Sequence, residues 1–99
     1  MNGRGWKGME IMICGIPYKV EEKDDAFDAD THFGQINYLT GIITINKNLS
    51  PAIKRETLCH EIIHGIFQHL GKEQLRDDEE LVQALGNAIN QSFDIRTVK

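Results

Sequence analysis

His60-Glu61-Ile62-Ile63-His64 sets two imidazoles and a carboxylate in the order H-E-x-x-H. On a helix of about 3.6 residues per turn, positions four apart lie one above the other, so His60 and His64 can offer ring nitrogens to one tetrahedral Zn²⁺. Glu61 then stands beside the metal and not on it. There a carboxylate can take a proton from water, the acid/base role this motif plays in metalloproteases. The plain alternative is a solvated helix face that carries these residues by chance, and the surrounding sequence decides between the two.

Ser50-Pro51 reads as an N-cap followed by proline at the first helical position, and Gly71 stands where a helix commonly stops. The spacing predicts a helix from Pro51 to Leu70. With His60 at zero on a wheel of about 100° per residue, Cys59, Ile62, Ile63, Ile66, Phe67 and Leu70 share an arc from about 200° to about 340°. His60 and His64 sit together at its edge, half-buried. Glu61 follows with Thr57 and Gln68 on the more polar side, its carboxylate turned toward an opening. His69 lies about 180° from His60 and cannot share its metal, so it reads as a surface or helix-end histidine. Phe67 and Leu70 also exclude the longer H-E-x-x-H-x-x-G-x-x-H pattern.

A catalytic zinc site takes three protein ligands and keeps one position open. The next acidic cluster, Asp77-Asp78-Glu79-Glu80, opens a second helix running to about Phe93. Acidic residues suit a first helical turn without any metal, and Asp77 with Glu80 resembles a capping box. Glu79, however, borders a stripe of Leu81, Val82, Leu85, Ala88, Ile89 and Phe93, whereas Glu80 points about 100° further round. If the two helices pack by their apolar stripes, Glu79 is favoured as the third ligand, with Glu80 as the alternative. Gly86 would permit a close approach of the helices.

The first half of the chain must supply the support for these helices. Ile11 to Cys14 and Tyr18 to Glu22 read as strands about Gly15-Ile16-Pro17, and Gln35 to Tyr38 and Ile42 to Asn46 as a second pair about Leu39-Thr40-Gly41. The segment from Lys23 to Thr31 is polar and acidic and reads as a loop or short helix. Residues 1–8 are glycine-rich and expected to fray, leaving residues 9–99 as one domain. The fold class expected is α+β: a small antiparallel N-terminal sheet packed on two C-terminal helices that carry the metal site. The strand Ile42 to Asn46 runs into the zinc helix and is either an edge that an extended peptide can join or a plain sheet strand.

Composition agrees with a small soluble enzyme. The 99 residues are 40% hydrophobic and 26% charged, enough for one modest core. A net charge of -4 argues against nucleic acid as a partner, because clustered Lys and Arg are absent. No apolar run reaches the roughly 18 residues of a membrane span, and no signal-peptide pattern is present, so a cytoplasmic location is expected. Cys14 and Cys59 lack the spacing of a disulfide scaffold, and Cys59 reads as a small core residue.

Thr57-Leu58-Cys59-His60-Glu61-Ile62-Ile63-His64, followed by Glu79-Glu80-Leu81-Val82-Gln83-Ala84-Leu85, resembles the ImmA/IrrE-type zinc metallopeptidases, particularly the short forms of phages and mobile elements. Gly34 to Tyr38 and Ile42 to Asn46 also look like that group. The resemblance implies a minimal zincin fold, Zn²⁺ on His60, His64 and a downstream glutamate, and Glu61 as general base. Glu79 with Val82 and Leu85 matches the group better than Glu80 does. Gln83 stands where related phage sequences carry another acid. Better-known members cleave a cognate repressor, so the implied substrate is a protein or peptide, of the class of phage or mobile-element regulators. His32 and Tyr38 are the candidate donors to an oxyanion in such peptide hydrolysis. The rival readings are a zinc-stabilised, non-catalytic protein-interaction module and a metal-free helical binding protein.

Overall fold

The computed structural model describes residues 8–24 and 33–94. The expected frayed start, apart from Gly8, most of the acidic segment, and His32 after it lie outside the described residues. Four strands come first: β1 (Glu10–Ile13), β2 (Ile16–Lys23), β3 (Gly34–Asn37) and β4 (Ile42–Asn46). Three helices follow: α1 (Pro51–His69), α2 (Glu73–Arg76) and α3 (Glu79–Ser92). The fold is α+β, with α1 packed on the sheet and α2 and α3 packed against α1, so that one helix and not two covers the sheet.

The first hairpin turns at Cys14-Gly15, whose φ angles of 51° and 81° are both left-handed. Pro17 therefore falls inside β2, opposite Met12, and not in the turn. Val20 donates to the Met9 carbonyl at 2.9 Å. Antiparallel pairing alternates, so bonded pairs fall at every second position and the 12/17 pair between them needs no N–H from proline.

The sheet runs in the order β1-β2-β4-β3. β1 with β2 and β3 with β4 are antiparallel, as expected, but β2 and β4 are parallel. Two hairpins have joined side by side. This places β4 in the interior, so of the two readings of Ile42 to Asn46 the plain sheet strand holds and the free edge does not. β3 is the edge beside the helices.

Tyr18, Val20, Ile43 and Ile45 project from the middle strands onto Leu58 of α1, and Met9, Ile11 and Ile13 complete this core. Ser50 caps α1, its Oγ accepting from Ile53 N–H at 3.3 Å, and Pro51 opens the helix as expected. One turn earlier than its own site, α1 meets the edge strand at Gly34. A Cβ there would lie 2.7 Å from Thr57 Cγ2, so glycine is what lets β3 lie against the helix.

Candidate metal centre

α1 packs on the sheet through one side and on α3 through another, which leaves little of its middle exposed. Thr57, Leu58, Cys59, Glu61 and Ile63 are all buried. Glu61 is only 7% exposed, so the polar side assigned to it from a single apolar arc is in fact a second packed face. It still lines a cleft of about 960 Å³ together with His60, His64 and Glu79.

α3 meets α1 by a face different from the one expected. Val82 and Gly86 are buried, whereas Leu85 is 36% exposed and Phe93 64%. The cause lies at Gly86, where an added Cβ would stand 3.2 Å from both Cα and N of His60. Backbone rests against backbone at that point, and this contact sets the rotation of α3. Positions 79, 82, 83 and 86, one helical face by their spacing, are thereby turned toward α1. The cap is Asp78, accepting from Leu81 N–H at 3.1 Å, and not Asp77. Asp77 instead pairs with Arg76 at 2.8 Å and 3.0 Å, and the guanidinium holds its carboxyl below the usual carboxylate range.

Three donors converge where the helices face each other. His60 Nε2 lies 3.0 Å from Glu79 Oε1, His64 Nε2 lies 3.2 Å from Glu79 Oε2, and the two Nε2 atoms are 3.2 Å apart. Ligands about 2.0–2.1 Å from a tetrahedral Zn²⁺ are separated by about 3.3 Å, which the two Nε2 atoms match at 3.2 Å. Glu79 meets each imidazole through a different oxygen, and one donor atom from each of the three residues lies within 4.8 Å of the others. Two imidazoles and a carboxylate are also its usual donor chemistry. Among the described residues these three form a group able to hold a metal, and Glu80 is not part of it. The histidine side chains are 19% and 14% exposed and that of Glu79 is 68% exposed. The triangle therefore has a packed side and a solvent side.

Burial raises Glu61 from its ordinary 4.5 to about 7, with the Glu79 carboxylate adding to the effect. Tyr38 also lines the cleft, and burial raises its phenol. Arg76 of the unforeseen one-turn helix α2 completes that wall, its guanidinium donating to Gln68 Oε1 at 2.5 Å. His69 is outside the donor group, as expected, yet it is more than a surface residue. Its Nε2 lies 2.5 Å from the hydroxyl of buried Tyr18, and its ring meets Tyr38 edge-on at 6.4 Å.

Gln83 Oε1 lies 2.8 Å from His60 Nδ1, and Gln83 Nε2 donates to Asn87 Oδ1 at 3.0 Å. Neither residue was anticipated in this place. A signal was nevertheless present, since Glu79, Gln83 and Asn87 recur at four-residue intervals along one helical face.

No curated protein and no solved structure gave a match to this sequence. The Peptidase_M78 family model, described as the IrrE N-terminal-like domain, matches residues 8–90. That span holds the whole sheet, the H-E-x-x-H turn of α1 and Glu79 to Asn87 of α3, so both the fold and the donor triangle lie within the match. The chain belongs to the IrrE N-terminal-like family of peptidases.

Proposed function

We propose that this chain is a zinc-dependent peptidase in which His60, His64 and Glu79 hold the metal and Glu61 is the general base. The observation that carries the reading is the convergence of His60, His64 and Glu79 through contacts of 3.0–3.2 Å, with a buried carboxylate on the adjoining residue of α1. A zinc ion bound there supplies a Lewis acid that polarises the scissile carbonyl and acidifies water. Glu61 accepts the proton of the attacking water and returns it to the leaving amine. The adjacent Glu61 also favours an enzyme over a purely structural zinc site, as do three donors, not four, among the described residues.

The peptide is held in this reading by β3. Asn46 donates to the Phe33 carbonyl at 2.8 Å, so the bonded pairs with β4 are 33/46 and 35/44. By the alternation of an antiparallel ladder, Gly34 and Ile36 turn their N–H and C=O outward, where an extended peptide can join them. Phe33, Gly34 and Ile36 line the same cleft as the donors. Tyr38 is the donor to the oxyanion available there among the described residues. The family resemblance makes a phage or mobile-element regulatory protein the substrate class.

The test is cleavage of a mixed peptide library by the purified chain with one equivalent of zinc. Glu61→Gln keeps the shape and the donors but not the base. It should retain zinc and lose cleavage by about 10²-fold or more. A Gln variant as active as the parent would sink the base assignment, and a parent chain that binds no zinc would sink the reading.

A further inference from the structure

The imidazole of a metal-binding histidine must present an unprotonated nitrogen, and its two ring nitrogens compete for one proton in the neutral form. His60 Nδ1 lies 2.8 Å from the side-chain oxygen of Gln83. An amide oxygen only accepts, so this contact requires the proton on Nδ1. Nε2 faces His64 Nε2 and, at 3.0 Å, the Glu79 carboxylate, which also only accepts. A metal bound there would take the place of any proton on Nε2, and the proton held on Nδ1 would keep that lone pair available to it.

The contact depends on which end of the Gln83 amide faces the ring. A reversed amide would present NH₂ to Nδ1, draw the lone pair there, and place the proton on Nε2, in the middle of the donor triangle. The bond from Gln83 Nε2 to Asn87 Oδ1 opposes that reversal, because it occupies the NH₂ group on the far side. We propose that Asn87 and Gln83 form a positioning pair for His60, fixing the end of the Gln83 amide that meets Nδ1 and thereby committing Nε2 to metal binding. The geometry is one helical face of α3, so the residue four positions after Glu79 orients the ligand opposite, and the residue eight positions after it orients the orienter. Gln83 lines the cleft, and the pair acts on the metal position through His60. The commitment of Nε2 to a metal rests on the zinc-site reading above, whereas the Nδ1–H bond to Gln83 does not.

Gln83→Met preserves length and removes the acceptor, while Gln83→Glu keeps an acceptor oxygen. Zinc affinity would be measured by chelator competition, and the His60 Nδ1–H proton by nitrogen-15 resolved NMR in metal-free and zinc-loaded protein. The Met variant should bind zinc about 10–100-fold more weakly, the usual cost of losing a partner behind a ligand. It should also lose the slowly exchanging Nδ1–H signal, and the Glu variant should recover both. Asn87→Asp, which can only accept, should match the parent, and Asn87→Ala should fall between the parent and the Met variant. A Met variant with unchanged zinc affinity, or one that is weakened while its Nδ1–H signal persists, overturns the proposal, the second outcome marking a merely structural role. If the parent binds no zinc, the zinc-site reading fails. The Nδ1–H signal of the metal-free parent, present or absent relative to the Met variant, still decides the positioning.

Discussion

Glu61 is a carboxylate enclosed by its own fold, and that has a thermodynamic cost which pH exposes. Its pKa rises from 4.5 to about 7 on folding, so the folded chain binds this proton more tightly than the unfolded one. The associated stability is fully present below about pH 4.5 and is lost as the pH rises through about 7. For the metal-free protein the loss should be on the order of 3 kcal/mol between those limits. Glu61→Gln cannot ionise and should escape it, becoming the more stable of the two at pH 8 when stripped of metal. Denaturant titrations of both proteins at pH 4.5, 6 and 8 would check this, and parallel stability curves would refute it. Neutral burial of the wheel's polar side was invisible in the sequence because one apolar arc describes a helix with one neighbour. α1 has two.

α3 shows how a helix is oriented by its smallest residue. Its hydrophobic positions predicted a stripe through Leu85 and Phe93, yet these remain exposed while Gly86 rests on the backbone of His60. The place of Glu79 beside His60 and His64 was legible for a partly different reason, since its position relative to Val82 happens to agree with both faces. The bounds of α1 were legible from local chemistry, because Ser50, Pro51 and Gly71 fix its ends regardless of packing. α2 was not, as a single helical turn leaves no periodicity to read. A branched side chain at 86 must separate the helices, so Gly86→Val should destabilise the fold by about 1–3 kcal/mol. The same variant should lose zinc affinity in parallel, because Glu79 and Gln83 ride on the displaced helix. Thermal melts and chelator competition together would test the linkage; lost stability with intact affinity would contradict it.

The strands were nearly all foreseen, but their order was not. Each hairpin is local and announces itself by turn residues, whereas the parallel pairing of β2 with β4 joins segments about twenty residues apart and has no signature in either. That pairing decides that β3, and not β4, borders the cleft. The assembled molecule joins α1 and α3 through one set of metal donors, so binding should stabilise it as a whole. Zinc at a hundredfold excess over its dissociation constant contributes about 2.7 kcal/mol, which for a domain of this size should raise Tm by on the order of 10 °C. Calorimetry with and without chelator measures this, and an unchanged Tm would disprove it. The unequal exposure of the three donors, 14% and 19% for the histidines against 68% for Glu79, also has a kinetic side. In the proposed site an arriving ion would meet the carboxylate first and a leaving ion would pass it last, so Glu79 would govern traffic as well as affinity. Glu79→Gln should therefore shorten the residence time of zinc on the two histidines more than it slows capture. Stopped-flow exchange with a fluorescent chelator would separate the two rates, and a variant with both rates unchanged would show that the ion travels by another route.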